Sequence, residues 1–125
     1  MRKLVVLFAS LSLLACAVAV AAGAGGGPPQ IPRIPGTWSH AEINVTAKNV
    51  PHTLIVDRGK ILEITTTQLM LRERDGSTVA IPLTGQTIVT VDGVPATISH
   101  LRRRMTAMTL RVDGGAAVRV RAASF

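Results

Sequence analysis

Asp75-Gly76, Asp92-Gly93 and Asp113-Gly114 cut the second half of the chain into short runs of β-branched and alternating apolar residues. An Asp-Gly pair tolerates the positive φ that tight hairpin turns require, so three such pairs behind alternating runs predict antiparallel hairpins in series. The fold class that follows is all-β. Upstream, Ile43, Val45 and Ala47 alternate with Asn44, Thr46 and Lys48, the pattern of a half-buried strand, which Asn49-Val50-Pro51 ends. Residues 52–57 form a second strand closed by Arg58-Gly59. Further strands are expected over 60–66, 68–74, 77–83, 87–91, 105–112 and 118–122. Residues 94–101 do not alternate. They read as one helical turn near 96–102 that sends Ile98 and Leu101 to the core at i,i+3 spacing. The expectation is one domain over 41–125, a meander or barrel of about seven strands. Closure into a barrel would remove the sheet edges.

The last hairpin allows a register argument. A three-residue loop, Asp113-Gly114-Gly115, would pair Val112 with Ala116, Leu110 with Val118 and Met108 with Val120, giving one apolar face. Arg111, Arg119 and Arg121 would then share the opposite face with Thr109 and Ala107. A slip of one residue would exchange the two faces of a strand.

The N-terminus reads as a targeting segment rather than as fold. Arg2 and Lys3 precede the apolar stretch 4–15, and small residues follow to Gly27. A secretory signal helix over 1–22, cut near Ala22, is expected, with retention as a membrane anchor as the alternative. Leu13-Leu14-Ala15-Cys16 also resembles a lipobox, in which Cys16 would be lipidated after removal of 1–15. Either way no cysteine remains downstream, so the domain rests on its core without a disulfide. Gly and Pro dominate 23–40, the composition of an extended linker. The chain is expected to be exported: extracellular, periplasmic or held at the cell envelope.

The 125-residue chain carries fourteen Lys and Arg against seven Asp and Glu. Without Arg2 and Lys3, twelve basic residues still face those seven acids, a net charge of +5. Tyr is absent and Trp38 is the only tryptophan, so the core must be aliphatic. Arg102-Arg103-Arg104, with Arg111, Arg119 and Arg121, places six arginines within twenty residues. Such a surface suits a polyanion, for example an anionic envelope polymer or a lipid headgroup. Nucleic acid fits poorly, because single-strand binders stack bases on aromatic rings.

Enzymatic chemistry is not expected. Asp57, Asp75, Asp92 and Asp113 all read as turn residues satisfied by local backbone. Glu42, Glu63 and Glu73 lie in strands with no evident acid–base partner. His40, His52 and His100 match no metal-ligand spacing. Met70, Met105 and Met108 could join them in a soft copper site, but Met70 and Met108 fall at core-facing positions. No cofactor and no metal are expected.

One stretch resembles a known family. Residues 59–64, 69–79 and 87–98, with their Asp-Gly turns, are similar to a bacterial family of small exported β domains of unknown function, for which the resemblance implies an OB-like barrel. It covers roughly 57–122. Family members carry an aspartate-leucine turn followed by a glycine; here His100 replaces the aspartate and Arg103 or Arg104 the glycine. The resemblance implies no catalytic residues. The functional expectation is a non-enzymatic binding module with a basic surface; the alternatives are a structural accessory that docks a partner protein by a sheet edge and, behind it, a periplasmic metal-binding protein.

Overall fold

The computed structural model describes residues 28–125. The expected signal helix, Cys16 and the start of the linker lie outside the described residues. The chain is all-β. Among the described residues there are eight strands: β1 (His40–Ala47), β2 (Val50–Ile64), β3 (Gln68–Arg72), β4 (Thr78–Pro82), β5 (Ile88–Val91), β6 (Val94–Ala96), β7 (Thr106–Val112) and β8 (Ala117–Ala123). The expected helical turn is a single 3-10 turn, Ile98–His100. It brings Leu101 into the core, with Ile98 packed against it.

All eight strands join one mixed sheet, in the order β4-β3-β2-β7-β8-β5-β6, with β1 beside β2 off that path. The chain reverses antiparallel from β1 through β4, again at β5–β6, and again at β7–β8. Between β5 and β8 the pairing is parallel. The sheet does not close: β4 and β6 are its two ends, so the barrel is not formed. Pro82 in β4 and Pro95 in β6 lack the N–H that a further strand would need there.

The break expected at 49–51 is a tight turn one residue earlier. Lys48 and Asn49 both take positive φ, 52° and 65°, and Ala47 pairs directly with Val50. Asp92 and Gly93 repeat this geometry between β5 and β6. The break expected at Arg58-Gly59 is absent, and β2 runs on as one long strand. Gly59 is needed for close approach rather than for turning: a Cβ there would lie 2.3 Å from the Arg72 carbonyl oxygen.

β2 is the hub. One edge pairs with β7 from Leu54 to Lys60. The other edge is shared, by β1 from Val50 to Asp57 and by β3 from Lys60 to Ile64. Opposite β3, Leu62 is a bulge residue, since Ile61 faces Leu71 while Glu63 faces Met70. The extra residue lets both Ile61 and Ile64 turn to the core, although they are three positions apart.

A second bulge corrects the register of the last hairpin. Arg111 opposes Ala117 as the expected loop requires, but Leu110 opposes Arg119, leaving Val118 unpaired. Beyond it the register is one residue off, with Thr109 opposite Val120 and Met108 opposite Arg121. Thr109 and Ala107 are therefore buried inside, not exposed beside arginines. Arg119 and Arg121 take the outer face with Leu110 and Met108, and Arg111 takes the inner one. Met70 is also on the outer face, opposite Glu63 and Ala80, and only Met105 of the three methionines joins the core.

Both faces carry apolar clusters. The inner core gathers Ile61, Leu69, Leu71, Ile81, Leu83, Val89, Leu101, Met105 and Val120, with no aromatic among the described residues that form it. Outside, Leu54, Val56 and Leu110 are covered by Ile31, Ile34 and Trp38. The proline-rich segment is thus a strap laid on the sheet, not a free spacer. Arg119 fastens it: Nε donates to the Pro29 carbonyl at 2.8 Å and Nη2 to that of Pro28 at 3.1 Å. Trp38 Nε1 donates to the Ile34 carbonyl at 3.0 Å and fixes the strap's own bend.

Candidate functional site

Asp57 sits where β2 changes partners. His40, the first residue of β1, opposes it on one edge, and Thr109 of β7 opposes it on the other. Just past β3, the chain crosses Gly59 so closely that Glu73 N lies 3.3 Å from where a Cβ would stand. That crossing carries Glu73 to the same junction. One ligating atom from each of His40, Asp57 and Glu73 lies within 4.8 Å of the other two. Three elements distant in sequence therefore converge on one carboxylate.

Asp57 is only 1 % exposed. An isolated buried carboxylate is costly, so its partners decide whether it is tolerated. His40 Nδ1 lies 2.7 Å from Asp57 Oδ1, and His40 Nε2 lies 3.1 Å from Glu42 Oε2. Arg111 Nη2 stands 3.7 Å from Asp57 Oδ2, at ion-pair range but without a hydrogen bond. Asp57 Oδ2, Thr109 Oγ1 and Arg111 Nε are all buried without a hydrogen-bonding partner in the protein. Buried polar atoms are nearly always partnered, and here three without partners fall on adjacent residues of β2 and β7.

Two titrations are displaced at this junction. Hydrogen bonding to Asp57, and then to Glu42, raises His40 above the ordinary imidazole value. Burial first, and the adjoining Asp57 carboxyl second, push Glu73 up to about 7. The site thus holds an imidazole between two carboxyls, with a third carboxyl alongside that keeps its proton near neutrality. Proton transfer and cation binding are both within the chemistry of such a set.

The six arginines singled out in the sequence do not form one surface. Arg111 points inward to Asp57, and Arg119 is committed to the strap. Arg102 folds back on its own turn, donating to the Ser99 carbonyl at 2.6 Å and to that of Leu101 at 3.0 Å. Arg104 takes φ 76°, and its guanidinium lies 5.8 Å from the Phe125 ring. Arg103 and Arg121 are exposed.

The register assembles a different basic surface. On the outer face Lys60 opposes Arg72 on one side and Thr106 on the other. In the next row Arg58 opposes Met108, which opposes Arg121. Arg58 also stacks over the Trp38 ring at 4.8 Å. Among the described residues, Arg111 is the only lysine or arginine within 4.0 Å of a carboxylate, so Arg58, Lys60, Arg72 and Arg121 form no salt bridge.

The three histidines stand apart. His40 is at the junction, His52 Nδ1 pairs with Asp113 Oδ2 at 2.7 Å, and His100 closes on Thr97 of its own turn. Asp75, Asp92 and Asp113 are turn residues as expected, but only Asp75 is satisfied locally, by Ser77; Asp92 accepts from Ser124, and Asp113 from Thr53 and pairs with His52, and these bonds lower all three pKa values. Asp57 is not a turn residue. The signal was Leu54-Ile55-Val56 immediately before it, an unbroken apolar run that marks a strand buried on both faces. No family model, curated protein or solved structure matches this chain.

Proposed function

We propose that the chain is an exported, non-enzymatic binding module that captures a polyanion on the outer face of its sheet. The observation that carries this reading is the adjacent placement of Arg58, Lys60, Arg72 and Arg121 in two neighbouring cross-strand rows without a carboxylate partner. Like charges side by side repel, and a bound anion relieves that repulsion. Arg58 and Trp38 form the apolar margin of the patch. A stacked guanidinium keeps its in-plane donors free for phosphate, sulfate or carboxylate groups. The exported setting rests on the N-terminal sequence and on the resemblance to small exported β domains. It favours envelope polymers and lipid headgroups over nucleic acid.

The test is binding of the full chain to soluble polyphosphate and, in a second arm, to phosphatidylglycerol vesicles, across a salt series. Capture on this face should weaken by about tenfold or more between low and moderate salt, as surface electrostatics are screened. Arg58→Gln and Arg121→Gln should each reduce it, while Lys48→Gln, in the β1–β2 turn, should leave it unchanged. Salt-independent binding unaffected by either arginine would favour the alternative, docking of a partner protein at a sheet edge, for which β4 offers the longer end strand of the path.

A further inference from the structure

We propose that His40, Asp57 and Glu73 bind a divalent first-row transition cation such as Zn2+, through His40 Nδ1 and the two carboxylates. The three ligating atoms already lie within 4.8 Å of one another. Ligands at about 2.0–2.2 Å from a zinc ion stand roughly 3–3.5 Å apart, so a small adjustment of exposed His40 and half-buried Glu73 suffices. The fixed member of the set is Asp57, which backbone pairing on both edges of β2 holds at the junction.

Two independent features point to a ligand rather than to a chance meeting of acids. The first is Asp57, 1 % exposed, whose Oδ2 accepts no hydrogen bond from any N–H or hydroxyl and has only Arg111 Nη2 at 3.7 Å. The unpartnered Thr109 Oγ1 lies on the opposing residue and the unpartnered Arg111 Nε beside it. A hydrated cation would bring water that both can use, Thr109 as donor or acceptor and Arg111 as donor. The second is Glu42. It stands 3.1 Å from the far nitrogen of His40 and can hold the Nε2 proton when Nδ1 releases its own proton to a cation. A carboxylate behind a ligating imidazole is the usual support of a metal-bound histidine.

Charge balance gives the valence. Once Glu73 gives up its proton to the ion, Asp57, Glu73 and Glu42 contribute three negative charges at the junction and Arg111 one positive. A divalent ion brings the total to zero with His40 neutral. The imidazole favours a transition ion over Ca2+ or Mg2+, which prefer oxygen alone. The site is distinct from the outer basic face: Asp57 and Thr109 point to the other side of the sheet from Arg58 and Met108.

The experiment is calorimetric titration of the chelator-stripped full chain with ZnCl2, with CaCl2 as the contrast. The expected result is saturable uptake of one Zn2+ per chain and none of Ca2+. Glu73→Gln and His40→Gln should each weaken uptake by about tenfold or more, and Glu42→Gln by about tenfold through loss of ring support. His52→Ala and His100→Ala should change nothing. Glu73 is half-buried in a hairpin loop, so Glu73→Gln keeps the test sound even if His40→Gln misfolds. Absence of saturable Zn2+ uptake, equal uptake of Ca2+, or uptake unchanged by Glu73→Gln would each overturn the proposal.

Discussion

Asp57 and Gly59 show how two residues of one strand can set the chemistry of a whole junction. Gly59 has no side chain because the Arg72 carbonyl occupies the space a Cβ would need. Gly59→Ala should therefore destabilise the fold by about 2 kcal/mol, read by urea denaturation, because backbone must shift to admit one methyl group. It should also draw Glu73 away from Asp57. A stability unchanged by the alanine would show that β3 does not press on β2 as described. The raised carboxyl of Glu73 has its own signature in metal-free protein. Its folded value of about 7 lies above the ordinary 4.5, so between these pH values the folded chain keeps a proton that the unfolded chain has released. Stability should fall as pH rises through that window. His40, also raised, extends the fall upward from its ordinary 6.5. Melting temperature measured with chelator from pH 4.5 to 7 should decline in the wild type and flatten in Glu73→Gln; identical slopes would contradict this. None of this was legible from the residues alone. Asp57-Arg58-Gly59 has the composition of a turn, and the steric need for glycine against a distant carbonyl leaves no local mark.

At the level of elements, the Asp-Gly turns were readable, while the break read at Arg58-Gly59 does not exist and the bulges left no sign. Asp75-Gly76, Asp92-Gly93 and Asp113-Gly114 all turn the chain where expected, because the local demand for positive φ selects those residues. Val118 and Leu62 carry no such mark, since any apolar residue can occupy a bulge. A single bulge moved Thr109 and Ala107 inside and separated Arg111 from Arg119 and Arg121. The strap was hidden for another reason: its prolines fix an extended shape but not what lies beneath it. Ile31 and Ile34 read as linker residues only until the sheet presents Leu54, Val56 and Leu110 to them. Trp38, the chain's only tryptophan, reports on this element directly. Arg119→Ala removes both hydrogen bonds to the strap and should shift Trp38 fluorescence to the red while faster proteolysis appears near 28–38. An unshifted spectrum and unchanged cleavage would mean that apolar contact alone holds the strap.

For the molecule as a whole, fold class followed from sequence and surface design did not. Composition predicted an excess of basic charge and an aliphatic core, and the inner cluster is entirely aliphatic. Which arginines would stand together depended on pairings between residues tens of positions apart. Arg58 and Arg121 meet through Met108, and Lys60 meets Arg72 directly. The clustered run Arg102-Arg103-Arg104, conspicuous in sequence, is partly spent on closing its own turn. Local density of charge is thus a poor guide to a sheet surface, where register decides neighbours.

The split edge of β2 also governs when the chain can fold. During synthesis β1, β2 and β3 emerge together, yet Leu54 and Val56 wait for Leu110 on a strand that appears some fifty residues later. Until the ribosome has released β7, half a sheet stands with its central strand uncapped and adhesive. A nascent chain of this design would gain from a chaperone, and truncations ending before Val112 should aggregate rather than fold.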